Sequence, residues 1–172
     1  MRKAITLGVL LLISSGLFAA KKSLEGPLAD PAHWKEGETP ALVGELAKAM
    51  EAISPADSRN LARAGELLLR AGRTVEAQET FERALKADPD DDEACLIIAV
   101  AYRGLKMWEK ADEWFGKATA LDPKDMDHVA EWGASYWMRG DKSKAADLFT
   151  RALAADPEAE RLYYKIGLGI GR

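Results

Sequence analysis

The side chains most often used as nucleophiles, general bases and metal ligands, cysteine and histidine, are few in this chain. It has one cysteine, Cys95, and two histidines, His33 and His128. Cys95 lies in a purely apolar stretch, which predicts a buried, unreactive thiol, and a lone cysteine excludes an intramolecular disulfide or a cysteine metal cluster. His128 lies three residues before Glu131 on one predicted helical face, with Asp127 beside it. Because no further residue has the spacing of a metal ligand, we predict a solvent-facing histidine and no metal site.

Two short motifs resemble binding loops but lack their essential residues. The acidic run "DPDDDE" at 88–93 has Glu93 where a calcium loop needs its sharp-turn glycine, and Ala99 at the closing position. The glycine-rich "GLGIGR" at 167–172 follows a predicted helix rather than a strand, so it does not match a phosphate-binding loop. No serine or cysteine stands near a histidine in a nucleophile signature. We therefore predict no catalytic residues, no cofactor and no enzymatic activity.

Composition and charge limit the class of partner. The chain has 172 residues, 48% apolar and 30% charged, which is typical of a globular protein with a core of its own. The formal net charge is -4, and residues 1–20 contribute two positive charges and no acids, so the remainder carries -6. A nucleic-acid-binding protein should have a basic stripe, so this acidity predicts a protein or peptide partner and not nucleic acid.

The amino terminus predicts export. "MRK" is followed by an uncharged apolar run over residues 4–20 and then by Lys21 and Lys22. A basic start, a short apolar run and small residues at its end are typical of a secretory signal peptide, here residues 1–20. The run is short for a transmembrane span. We expect a periplasmic or secreted protein without a stable membrane span, and an uncleaved amino-terminal anchor is the alternative.

The remaining sequence divides into an arm and a repeated helical region. Residues 21–40 contain three prolines and predict a linker or irregular arm. From residue 41 onwards the pattern is helical, and "AQETFERALKADP" at 77–89 recurs in similar form at 111–123 and 145–157. The period is 34 residues each time, which indicates stacked structural units.

The repeated residues predict the packing within each unit. In the second helix of each unit, alanine, phenylalanine and alanine form an apolar stripe and a proline ends the unit. The first helices carry a tiny residue at Gly65, Ala99, Gly133 and Gly167, which lets neighbouring helices approach closely. Gly72, Gly104 and Gly140 should mark the turns within the pairs, and acids after the prolines should cap the next helices.

This pattern resembles the tetratricopeptide repeat (TPR) family, which has alanine, phenylalanine, alanine and proline at this spacing. The resemblance implies an all-α, right-handed superhelical solenoid of stacked antiparallel helix pairs, with three full units and a half unit at each end. The predicted boundaries are 41–57 for a degenerate half repeat, 58–91, 92–125 and 126–159 for the full repeats, and 160–172 for a terminal helix.

The resemblance also implies a binding surface. In the family, first helices line a concave groove that holds an extended peptide or a helix. Carried over by position, the groove residues are Ala62, Glu66, Leu69, Leu96, Val100, Arg103, Ala130, Ala134, Trp137 and Tyr164.

Two apolar segments suggest surfaces that another segment or another chain would cover. Residues 94–102 are apolar on every face, so either a partner, a second copy or the arm covers them, or packing within the solenoid buries them and part of Trp137. The terminal helix presents Tyr163, Tyr164, Ile166, Leu168 and Ile170, which suggests self-association. We interpret the protein as an exported interaction module for an apolar or amphipathic segment; the alternative is a structural subunit of a cell-envelope assembly or secretion machine.

Overall fold

The structure, a computed structural model, describes residues 39–171. The predicted signal peptide and nearly all of the predicted arm lie outside the described residues. Within them, the chain forms helices and turns and no strands, which confirms the all-α class. None of these helices is both long enough and apolar enough to span a lipid bilayer.

Two compact units divide the described chain between Ala87 and Asp88. The first contains α1 (Thr39–Ile53), α2 (Ser58–Arg70) and α3 (Thr74–Ala87), and the second contains α4 (Asp92–Gly104), α5 (Trp108–Leu121), α6 (Met126–Met138), α7 (Lys142–Ala155) and α8 (Glu160–Ile170). Helix α1 begins two residues before the predicted boundary. Pro40 falls in its first turn, where the missing amide hydrogen would have no helical acceptor anyway.

Prolines and aspartates set where the first helix of each pair begins, as predicted. Asp57, Asp91 and Asp125 cap α2, α4 and α6. Each of them lies two residues after the proline that ends the preceding unit. The Asp57 side chain, for example, accepts a hydrogen bond from the backbone N–H of Asn60 at 2.8 Å. Such a bond satisfies one of the amides that lack a partner at a helix start. The equivalent residue before α8 is Ala159, and no described side chain caps that helix.

Each helix pair closes over a phenylalanine that fits against a tiny residue. A Cβ atom on Gly65 would lie 2.4 Å from the Phe81 ring in the first unit, and one on Gly133 would lie 2.6 Å from the Phe149 ring in the second. Both distances are below van der Waals contact, so glycine is what allows the ring to pack there. The α4–α5 pair has Ala99 and Phe115 in these positions, and both are fully buried.

The joint between α5 and α6 combines an aromatic stack with polar contacts. The rings of Phe115 and Trp132 are stacked with centroids 6.4 Å apart. Beside them, the Asp112 carboxylate of α5 accepts hydrogen bonds from Trp132 Nε1 at 2.7 Å and from Arg139 Nη1 at 2.8 Å. One carboxylate on α5 therefore accepts from Trp132 and Tyr136 of α6 and from Arg139, the residue that follows α6.

The turns within the pairs use a left-handed residue, but not always a glycine. Gly72 has φ 77° and Gly140 has φ 90°, as expected for the turn after a helix. The prediction for Gly104 was wrong: it is the last residue of α4, and Lys106 takes the left-handed position with φ 59°. Lys106 is the residue in register with the other two glycines, so the turn geometry is retained without glycine.

Replacing Lys106 by glycine should stabilise the protein. A left-handed residue with a Cβ costs about 1–2 kcal/mol, and the extra chain entropy of glycine offsets part of the gain. We expect Lys106→Gly to raise the free energy of unfolding by about 0.5–1 kcal/mol and the melting temperature by roughly 2–3 °C, measured by thermal circular dichroism. Lys124→Gly, at an exposed turn residue without positive φ, is the control and should give no rise. A lower melting temperature for Lys106→Gly would contradict the proposed strain.

Candidate partner-binding surface

Most of the predicted groove residues are buried. In the first unit, Ala62 and Leu69 are buried on α2, while Glu66 is half-buried and forms an ion pair with Arg70 at 2.7 Å. In the second unit, the buried residues are Leu96, Arg103, Ala130 and Ala134. Val100 and Trp137 are half-buried, and Tyr164 is the most exposed of the ten, at 71%.

The apolar helix α4 is buried without an added partner. Of its apolar residues, only Ile97 and Val100 keep more than a small exposed fraction. The structure therefore supports the alternative in which packing buries this helix. Cys95 is fully buried as predicted, and burial raises the pKa of its thiol, which favours the neutral, unreactive form.

Trp137 is likewise part of the packing within the second unit. Its Nε1 atom donates a hydrogen bond to the backbone oxygen of Ile170 at 3.1 Å, which connects α6 to the end of α8. Nearby, a Cβ atom on Gly169 would lie 2.7 Å from the Cβ atom of Ala134, so the two helices approach closely at that point. Helix α8 thereby covers the part of α6 that carries the predicted groove positions.

An open cleft of about 190 Å³ lies between α6 and α8. It is lined by Glu131, Arg161, Tyr164, Lys165, Leu168 and Gly169. Tyr164 and Leu168 are exposed and apolar, at 71% and 44%, whereas the flanking Arg161 and Lys165 are cationic. The cleft therefore combines two exposed apolar side chains with two cationic side chains and the carboxylate of Glu131.

A chain of ion pairs connects the first helices of the second unit. Arg103 on α4 is 4% exposed, and its Nη1 atom donates to Glu131 Oε2 on α6 at 2.8 Å and to the Glu131 backbone oxygen at 3.0 Å. Lys165 Nζ on α8 lies 4.0 Å from Glu131 Oε1 and 3.1 Å from Asp127 Oδ2. Arg161 Nη1 lies 3.2 Å from the same Asp127 oxygen.

Sequence reasoning missed the charged side of this cleft, although the 34-residue period contains the signal. Asp127 and Arg161 are 34 residues apart, and so are Glu131 and Lys165. Residues in register on neighbouring first helices lie side by side, so opposite charges at this spacing predict interhelical pairs. The period also predicts the exposure of Tyr164 and Leu168, because no described helix follows α8.

Two predictions about individual side chains were wrong. Ile166 was expected on the outer face of the terminal helix but is buried at 8%; Tyr163, Tyr164, Leu168 and Ile170 are exposed as predicted. His128 was expected to face solvent but is fully buried. Its register equivalents Ala94 and Leu162 are apolar and buried, which was the signal that this position belongs to the interior.

Comparisons with known proteins identify the repeat. Residues 68–131 match the family model described as tetratricopeptide repeat. The chain is similar to the BBSome complex member BBS4 of Mus musculus, with 28% identity over 124 residues, which is 72% of this chain and 24% of that protein. It is also similar to the general transcriptional corepressor ssn6 of Schizosaccharomyces pombe (strain 972 / ATCC 24843), with 30% identity over 60% of this chain and 10% of that protein. The chain thus spans about a quarter or less of the length of these relatives.

Solved structures share the fold. MamA 41-end from Desulfovibrio magneticus RS-1 is 25% identical with a TM-score of 0.53, covering 72% of this chain and 70% of that one. YrrB, described as a TPR protein with an unusual peptide-binding site, is 18% identical with a TM-score of 0.55, covering 94% and 86%. At such identity the likeness to YrrB shows the fold alone.

Proposed function

The chain is a tetratricopeptide repeat protein, and from this premise we propose that it is an exported interaction module that binds an apolar or amphipathic polypeptide segment. The repeat family and the fold support a protein–protein interaction module. The observation that carries the finer proposal is the cleft between α6 and α8, where Tyr164 and Leu168 are exposed beside Arg161 and Lys165.

The register of the repeats indicates how a partner segment would fit. Tyr164 and Leu168 on α8 are the equivalents of Ala130 and Ala134 on α6, which are buried in the core that includes Leu162 and Ile166 of α8. A helical segment of a partner would cover Tyr164 and Leu168 in a similar way. Its apolar face would contact the tyrosine and leucine, and acidic residues at its edge would pair with the nearby cations.

Export is the second part of the proposal, and it is supported by the sequence of residues 1–22. These residues have a basic start, a short apolar run and a return to lysines. The expected partner is therefore a protein of the cell envelope or of the exterior. Expression of the full chain, followed by recovery from the exported fraction, is the first step of the test below.

Binding should depend on the two exposed side chains of the cleft. Using the exported protein, we would measure fluorescence polarisation with amphipathic peptides and with fully polar peptides of equal length. We expect the amphipathic set to bind more tightly, and Tyr164→Ser or Leu168→Ser to weaken that binding at least tenfold, which corresponds to about 1.4 kcal/mol. Both residues are exposed, so the variants should remain folded.

Tyr163→Ser is the matched control for this experiment. Tyr163 is a tyrosine on the same helix and is 53% exposed, but it does not line the cleft. Its replacement should leave peptide binding unchanged. Equal binding by the Tyr164→Ser variant and the unaltered protein, or equal loss with Tyr163→Ser, would contradict the proposed cleft.

The second candidate function is a permanent structural subunit of an envelope assembly or secretion machine. It is favoured by the similarity to a protein named as a complex member and by the exposed apolar residues of α8, which include Tyr163 and Ile170. In this case the protein would be recovered only in a stable complex or as a self-associated species. Sedimentation of the full chain distinguishes the two functions, since an exchangeable binding module should sediment as a monomer without its peptide.

A further inference from the structure

Three side chains with metal-binding atoms meet at the amino-terminal ends of α4 and α6. Asp92 lies in the first turn of α4, Asp125 is the N-cap residue of α6, and His128 lies in the first turn of α6. His128 Nε2 is 3.3 Å from Asp92 Oδ2 and 3.6 Å from Asp125 Oδ2. One donor atom from each residue lies within 4.8 Å of the other two.

The burial of His128 requires an explanation. The side chain is 0% exposed, and neither ring nitrogen has a hydrogen-bond partner among residues 39–171. Its register equivalents, Ala94 and Leu162, are apolar, so an imidazole here replaces a core side chain. Burying an unsatisfied polar ring is unfavourable unless its lone pair or its proton is used. The nitrogen that faces the two carboxylates, Nε2, is the atom that a cation would satisfy.

We propose that Asp92, Asp125 and His128 bind a divalent transition-metal ion, with zinc as the expected ion. Imidazole nitrogen together with carboxylate oxygen is a donor set that zinc accepts, with bonds of about 2.0–2.2 Å. Two ligands of a tetrahedral ion at those bond lengths lie about 3.4 Å apart. The separations of 3.3 Å and 3.6 Å from Nε2 to the carboxylate oxygens match this spacing.

The two aspartates offer a carboxylate oxygen that can coordinate the ion and a route by which the ion can enter. Asp125 uses Oδ1 to accept the backbone N–H of Asp127 at 2.8 Å, which leaves Oδ2 for the metal. The side chains of Asp92 and Asp125 are 28% and 31% exposed, so the ion can enter from the solvent side of the carboxylates. Three protein ligands leave a fourth position for water.

The surroundings of the histidine set the expected affinity. In tight zinc sites the second ring nitrogen donates a hydrogen bond that orients the ligand, and loss of such a contact weakens binding 10–100-fold. Within the described part of the chain, His128 Nδ1 has no hydrogen-bond partner. We therefore expect micromolar binding. The ion would connect α4 to α6 and stabilise the second unit.

Metal binding can be measured on the untagged full chain after removal of metal with a chelator. We expect zinc at 100 times its Kd to raise the melting temperature by roughly 5–10 °C. Cobalt, which occupies zinc sites, should give the visible absorption of a tetrahedral complex. An unchanged melting temperature together with no such absorption would overturn the proposal.

Variants test whether this cluster is the site. His128→Leu places the side chain found at the equivalent position, Leu162, and should abolish the cobalt spectrum. Asp125→Asn retains a capping oxygen and should weaken zinc binding at least tenfold, which keeps the test valid if the leucine variant folds poorly. His33→Ala and the exposed Asp90→Asn are controls and should leave binding unchanged. Loss of binding with His33→Ala, or wild-type binding by Asp125→Asn, would overturn the assignment.

Discussion

Replacing Phe115 by alanine is expected to lower the free energy of unfolding by about 3–5 kcal/mol, as for other phenylalanine-to-alanine changes in cores. Phe115 is 0% exposed and its ring stacks on Trp132 with centroids 6.4 Å apart. The guanidinium of Arg103 lies 5.7 Å from the ring centroid. Truncation would therefore leave a cavity at the point where α5 meets α6, and urea denaturation followed by circular dichroism would measure the loss.

The control for this change is Phe115→Leu. Leucine retains most of the buried apolar volume, so its cost should be well below that of alanine, at about 1–1.5 kcal/mol. If Phe115→Ala lowers the free energy of unfolding by less than about 1 kcal/mol, the prediction that this ring is a major part of the core is wrong. It would mean that α5 and α6 collapse into the cavity without cost.

The second large effect is expected at Glu131. Arg103 is 4% exposed, and the Glu131 carboxylate is 2.8 Å from its Nη1 atom. Removing one member of a buried ion pair is strongly destabilising because the other charge loses its partner. Glu131→Leu should therefore lower the free energy of unfolding by about 3 kcal/mol, measured by the same denaturation experiment.

Glu131→Gln separates the lost charge from the lost shape. Glutamine keeps an oxygen that can accept from Arg103, so its cost should be about 1 kcal/mol. If Glu131→Leu costs no more than Glu131→Gln, the guanidinium is satisfied without the carboxylate. The retained hydrogen bond from Nη1 to the Glu131 backbone oxygen, at 3.0 Å, would then be its main partner.

The fold was predictable because its determinants repeat. The 34-residue period predicts a tiny residue in each first helix that lets a neighbouring helix approach closely. The structure shows such approaches within the pairs, where Phe81 packs against Gly65 and Phe149 against Gly133. Helix starts were also predictable, since a proline and a capping aspartate act within a few residues of each other. Both are local or strictly periodic signals, and they need no knowledge of how the units pack.

The surface was less predictable because it depends on what lies beside each residue. Charged neighbours in the sequence suggested that His128 faces solvent, yet its own helix face points into the interior. Lys106 adopts a glycine-like conformation because of the helices on both sides, not because of its own preference. The exposure of the predicted groove residues could not be inferred from residue type, since α8 covers the alanines of α6 and nothing described covers Tyr164.

The contacts of Asp112 have a consequence for how the second unit opens. The joint between α5 and α6 contains one ring stack and one carboxylate, Asp112, which accepts from Trp132, Tyr136 and Arg139. Parting α4 from α5 would instead expose fully buried residues such as Phe115 and Ala99. Local opening should therefore separate whole helix pairs before it separates the two helices of a pair. In amide hydrogen exchange, the two helices of a pair would lose protection together.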